Sequence, residues 1–155
     1  MAKNSCAREY KERVIMSKSV AEKMSIRKPG ILNTTRHRLW YNNVQGFAYM
    51  QIVGELGMGE VSRLFSVMDE VFSGKKNHNL LIDVRLSKGL FSQKEVRDNF
   101  KKKSLDIGLD RIAVLGASYA NRMTLKILLS VLGKRHVSRF CTTEKDAMIW
   151  LKEDR

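Results

Sequence analysis

Ser92 and Glu95 stand three residues apart, in the stretch Leu90-Phe91-Ser92-Gln93-Lys94-Glu95-Val96. An apolar run has just ended there and a helical pattern begins. Ser-x-x-Glu at such a junction is a capping box: the serine oxygen accepts from the N3 amide and the glutamate reaches back to the cap amide. The same place suits a phosphate, because a helix N-terminus offers unpaired N–H groups and Lys88 and Lys94 flank it. A second anion candidate is Leu115-Gly116-Ala117-Ser118, with Arg122 one turn further on. Ser118 there also reads as a plain N-cap. Asp83 ends the apolar run that begins at Asn79, and ligands of open α/β sheets gather at the carboxyl ends of strands. Asp83, Lys88, Phe91, Gly116, Ser118 and Arg122 therefore form a candidate rim for a ligand or partner, with Ser92 as a candidate phosphorylation site.

Other chemistries find no support. Gly54-x-x-Gly57-x-Gly59 precedes a helix as a nucleotide loop does, but its spacing is not G-x-G-x-x-G, and Glu55 would repel a pyrophosphate. His37, His78 and His136 are isolated, and no His-x-x-His or Cys-x-x-Cys occurs, so no metal site is expected. No Gly-x-Ser-x-Gly elbow occurs either. The two cysteines, Cys6 and Cys141, do not make a disulfide framework. A non-enzymatic protein without a cofactor is expected.

The elements that must position these residues follow from periodicity. "RLWYNN" and "GFAYMQIVG", joined by turn residues, predict a β-hairpin. In "MGEVSRLFSVMDEVFSG", Val61, Leu64, Phe65, Met68, Val71 and Phe72 recur at helical spacing. "NLLIDV" and "RIAVLG" read as strands covered on both faces. "SQKEVRDNFKKKSL" and "SYANRMTLKILLSVLG" read as helices, the latter with Met123, Ile127, Leu128 and Val131 on its apolar face. "HVSRFC" and "TEKDAMIWLKED" supply a last strand and helix. The order β-β-α-β-α-β-α-β-α predicts an α/β domain with a mixed sheet, an opening hairpin and four helices.

The charge is uneven. Of a net +13, residues 1–38 hold ten Lys/Arg against three Glu, a balance of +7. Residues 1–36 read as a basic extension, partly helical or flexible, and residues 37–155 as the domain. The extension suggests nucleic acid or an anionic membrane surface as a partner. No apolar run spans a membrane and no secretory signal stands at the N-terminus, so a cytoplasmic setting is expected.

This order, together with "WYNNVQGFAYMQIVGEL", "LLIDVR", "RIAVLGAS" and "RFCTTEKDAMIWL", resembles the STAS domain family. The likeness is to its SpoIIAA-like branch, akin to anti-sigma-factor antagonists and related to CRAL-TRIO lipid-exchange folds, and it covers residues 37–153. It implies a regulatory domain that binds a protein partner. It also implies that Ser92 holds the place of the antagonists' switch serine. There Phe91 replaces the family's aspartate, which points away from a phosphoserine switch. The alternative is a carrier or sensor of a small apolar or lipid-like ligand, held between helices and sheet by Phe65, Met68, Leu90 and Met123. A cavity of ~300 Å³ would favour the carrier, and a solid core with an exposed apolar patch the partner-binder. The edge of the opening hairpin offers a route to a homodimer.

Overall fold

Residues Leu80, Ile82 and Val84 pack with one hydrophobic cluster, while Leu81 packs with another. That alternation is the signature of a strand buried on both faces. The computed structural model describes residues 32–33, 36–90 and 93–153. One six-stranded sheet organises them: β1 (Leu32–Asn33), β2 (Arg38–Asn42), β3 (Phe47–Gly54), β4 (Asn79–Ser87), β5 (Arg111–Leu115) and β6 (Ser138–Cys141), neighbours in that order. β1, β2 and β3 pair antiparallel, and β3 to β6 pair parallel. The helices are α1 (Met58–Phe72), α2 (Lys94–Ser104), α3 (Tyr119–Val131) and α4 (Glu144–Lys152).

Each parallel step moves one strand further in the same direction. Crossovers of one hand must then place their helices on one face of the sheet. Buried residues of α1, α2 and α3 accordingly share a cluster with Met50, Ile52, Leu80, Ile82, Ile112 and Val114. α4 follows the last strand and folds onto the other face, where Ala147 and Leu151 meet Phe47, Leu81, Ala113 and Leu115. The α/β class, the opening hairpin, the four helices and their order agree with expectation. β1 is an added two-residue strand within the segment assigned to the basic extension. It covers β2 only at Arg38 and Leu39. Apart from Arg36, the rest of that extension lies outside the described residues.

Three expectations need correction. β4 does not end near Asp83 but continues to Ser87, because a bulge in β3 between Gln51 and Val53 lets Val53 and Gly54 pair with Leu86 and Ser87. α2 opens at Lys94 with Gln93 as its N-cap, one residue later than the Ser92 capping box predicts; Ser92 itself, like Phe91, lies outside the described residues. On α3 the buried face is Asn121, Leu125, Leu128 and Leu129. Met123, Ile127 and Val131 point outward, at 45%, 62% and 55% exposure. A polar residue, Asn121, completes the true core stripe at i, i+4, i+7 and i+8, so a hydrophobicity pattern selects the neighbouring face instead.

His37 joins the start of β2 to the rest of the fold. It is fully buried. The Val53 amide donates to its Nδ1 at 3.3 Å, which leaves the proton on Nε2, 3.2 Å from the Glu60 carboxylate. Glu60 Oε2 in turn accepts from the Gly57 amide at 2.8 Å, satisfying a donor at the mouth of α1. Burial pushes the Glu60 carboxyl up, but the Gly57 amide and His37 outweigh it and hold it below its ordinary value. The carboxylate thus fills the helix mouth where a nucleotide phosphate would have to sit. His37→Ala would leave a cavity and an unsatisfied Val53 amide. A loss of about 2–4 kcal/mol is expected in urea unfolding, with an unchanged m value.

Candidate functional site

Asp83 is 1% exposed and faces the α4 side of the sheet. Its oxygens are saturated with donors. Arg85 gives three: Nε to Oδ1 at 3.0 Å, Nη2 to Oδ2 at 2.7 Å and its backbone amide to Oδ1 at 3.1 Å. The Tyr49 hydroxyl donates at 2.9 Å, and Gln51 Nε2 lies at 3.5 Å. Burial alone would raise the carboxyl's pKa; the Arg85 and Tyr49 donors prevail and hold it below 3.8. Burial and the adjacent carboxylate push the Tyr49 phenol up. Asp83 is therefore ionised and fully bonded, which is the state of a structural anchor rather than of a general base. It ties β3 to β4 instead of lining the rim predicted from its place in the sequence.

Arg85 reaches Asp83 by crossing Gly116. Gly116 has φ +69°, and a Cβ there would overlap the Arg85 side chain. This glycine thus clears a path for the guanidinium. The predicted reading, an anion held by backbone amides near Gly116, does not match its hydrogen bond, since its N–H donates to the Cys141 carbonyl at 3.1 Å.

The rim at the carboxyl ends of the strands is knitted by a residue that the sequence did not single out. Asn121 is 5% exposed. Its Nδ2 donates to Ser87 Oγ at 2.9 Å, and its Oδ1 accepts from the Leu90 amide at 3.2 Å. Ser118 caps α3 by accepting from the Asn121 amide at 3.3 Å. The Lys88 amide donates to the Gly54 carbonyl at 2.8 Å. The guanidinium of Arg122 lies 5.6 Å from the Phe140 ring. Lys88, Ser118 and Arg122 do gather at this end of the sheet, while Asp83 is withdrawn from it.

Between the sheet and α1–α3, Phe65 and Met68 line a void of only about 30 Å³, room for a water or two. Its lining is almost wholly apolar. Leu90 is buried in the same core but does not line the void, and Met123 faces outward. On the opposite face, α4 leaves β2 and β3 partly open. There Trp40 stacks on Tyr49 at 4.5 Å, and a groove of about 470 Å³ runs past Arg38, Gln51, Glu144 and Met148.

No family model matches this sequence, and no curated protein matches it. A solved structure does. An uncharacterized protein of the DUF3478 family from Shewanella loihica PV-4, described as having a SpoIIAA-like fold, aligns with a TM-score of 0.58. The alignment covers 77% of this chain and 98% of that one at 17% identity. The fold is SpoIIAA-like.

A SpoIIAA-like fold at this identity fixes the architecture and leaves the activity open. The serine that the resemblance equates with a switch, Ser92, and its neighbour Phe91 both fall outside the described residues. Among the described residues no cluster of His, Cys, Asp or Glu could hold a metal ion, and no helix is long and apolar enough to cross a membrane.

Asp83→Asn should cost about 1.5–3 kcal/mol at pH 7, the worth of hydrogen bonds to a charged group. Because the folded-state pKa is depressed, that contribution is present above 3.8 and is lost as pH falls through the folded value. The difference between urea melts of the two proteins should therefore begin to shrink only as pH drops below 3.8, and should vanish once pH has fallen below the folded-state value. Gly116→Ala should destabilise by at least about 1–2 kcal/mol from backbone strain alone. It should also shrink the acid dependence carried by Asp83, since the displaced Arg85 guanidinium no longer offsets the burial of the carboxylate; a melt that keeps the full acid transition would contradict this.

Proposed function

We propose that this domain is non-enzymatic and works in the cytoplasm by binding a protein partner, without a phosphoserine switch. The observation that carries this reading is the pairing of a filled core with an exposed apolar strip. The void between helices and sheet measures about 30 Å³, an order of magnitude short of the ~300 Å³ that even a small ligand pocket requires. Tyr119, Met123, Ile127 and Val131, spaced four residues apart on α3, are exposed at 81%, 45%, 62% and 55%. Large apolar residues gathered along one exposed strip mark an interaction surface. The saturated Asp83 supports a binding role over a catalytic one. Among the described residues, the space between helices and sheet is too small for the ligand that the carrier reading places there.

A photoreactive amino acid at position 123, with a control at the exposed Ile149 on α4, tests the proposal in cells. A protein adduct from position 123 and none from 149 is expected. Native mass spectrometry should find the purified chain free of lipid. A stoichiometric lipid adduct, with no protein crosslink, would replace this reading by the carrier. Ser92→Asp and Ser92→Ala should both leave the crosslink unchanged; opposite effects would restore the switch.

A further inference from the structure

We infer that the groove between α2 and α3 receives an acidic amphipathic helix of the partner protein, an inference that rests on the protein-binding reading and specifies its chemistry. The groove has a volume of about 350 Å³. Ile127, Leu128 and Val131 form its apolar wall, and Arg97, Asp98 and Lys101 of α2 line the other side. With Met123, the exposed apolar residues of α3 lie at i, i+4 and i+8. The thirteen residues of α3 extend for roughly 20 Å at 1.5 Å per residue, a length that another helix of three to four turns would match. Apolar anchors at i, i+3/i+4 and i+7 are how a helix seats in such a groove.

Charge decides among the occupants. α3 carries Arg122 and Lys126 and no acid, and α2 ends in Lys101, Lys102 and Lys103. Lys134 and Arg135 follow α3. A partner helix with Asp and Glu beside its apolar stripe complements this frame. A second copy of α3 would set Arg122 and Lys126 against their own kind. The segment of residues 1–38, with its balance of +7, does not complement this frame in charge. An anionic bilayer would satisfy the lysines, but the apolar wall here lines a recess rather than a crest, and Asp98 stands in it. A recess with one carboxylate fits a helix better than a lipid surface.

The test uses the full chain, isotopically labelled, and a fluorescent sixteen-residue peptide with leucines at helical i, i+3, i+4 and i+7 and glutamates alongside. Three controls accompany it: the same peptide with lysines for glutamates, a scrambled acidic peptide, and vesicles of 30% phosphatidylserine in phosphatidylcholine. Saturable binding of the acidic helix alone is expected, with amide shifts confined to α2 and α3. Ile127→Lys should weaken it at least tenfold. So should the double variant Lys101→Glu/Lys126→Glu, which leaves the apolar wall intact and guards against a folding artefact. Equal binding of the lysine or scrambled peptide, shifts elsewhere, or binding to vesicles but not to the peptide would each overturn the inference. If the peptide fails while position 123 still crosslinks a protein in cells, only the acidic-helix chemistry falls. If both fail, the protein-binding reading falls with it.

Discussion

A carboxylate buried to 1% exposure in a protein interior must be neutralised or it will destabilise the fold, and Asp83 is neutralised almost entirely from its own strand. Arg85 stands two residues on and supplies three of its donors, while Tyr49 and Gln51 come from the neighbouring β3. The interaction is local on one side and crosses strands on the other. It fixes the register of β3 on β4 immediately before the bulge at Gln51–Val53. Everything at the carboxyl end of the sheet depends on that register: the pairing of Gly54 with Ser87, the Ser87 hydroxyl that meets Asn121, and through Asn121 the mouth of α3.

The two faces of the sheet are built differently. Three helices cover one face and enclose a core of large aliphatic and aromatic side chains. One nine-residue helix covers part of the other, and there the small residues Ala113 and Ala147 allow close approach. The Trp40–Tyr49 stack lies on the part of that face that α4 does not reach. The most exposed apolar helix surface, by contrast, belongs to α3 on the well-covered side. Its position follows from the order of the strands: α3 crosses over to β6, the sheet's edge strand, and among the described residues no further crossover helix follows on that side.

The fold was legible because strands, helices and turns each carried a clear period, and because every crossover was short. The candidate site was less so. Asp83 stands at the end of an apolar run, but Arg85, Leu86 and Ser87 extend the strand with exposed or partly exposed residues that a run of buried positions does not reveal. Asn121 gives no hydrophobic signal, so periodicity places the core face of α3 one step around the helix, at Met123, Ile127 and Val131. Their exposure is visible only once Asn121 is seen inside, bonded to Ser87 and Leu90. Gly116 reads from the sequence as part of an anion-binding junction, not as the space beneath an arginine from another strand. His37 looked isolated because its partners, Val53 and Glu60, stand 16 and 23 positions away.

The crossing of Arg85 over Gly116 also constrains how this chain can drift in evolution. A side chain can enter position 116 only after position 85 has been shortened. Shortening position 85 first strips Asp83 of its counter-charge, and removing Asp83 first strands the donors around it. Each single step away from the trio leads through a less stable protein, so the three residues are expected to be inherited as a block or replaced together. One strand and the loop that follows its neighbour are thereby made to vary as one unit, although only one of the three residues is exposed enough to have drawn attention as a surface charge.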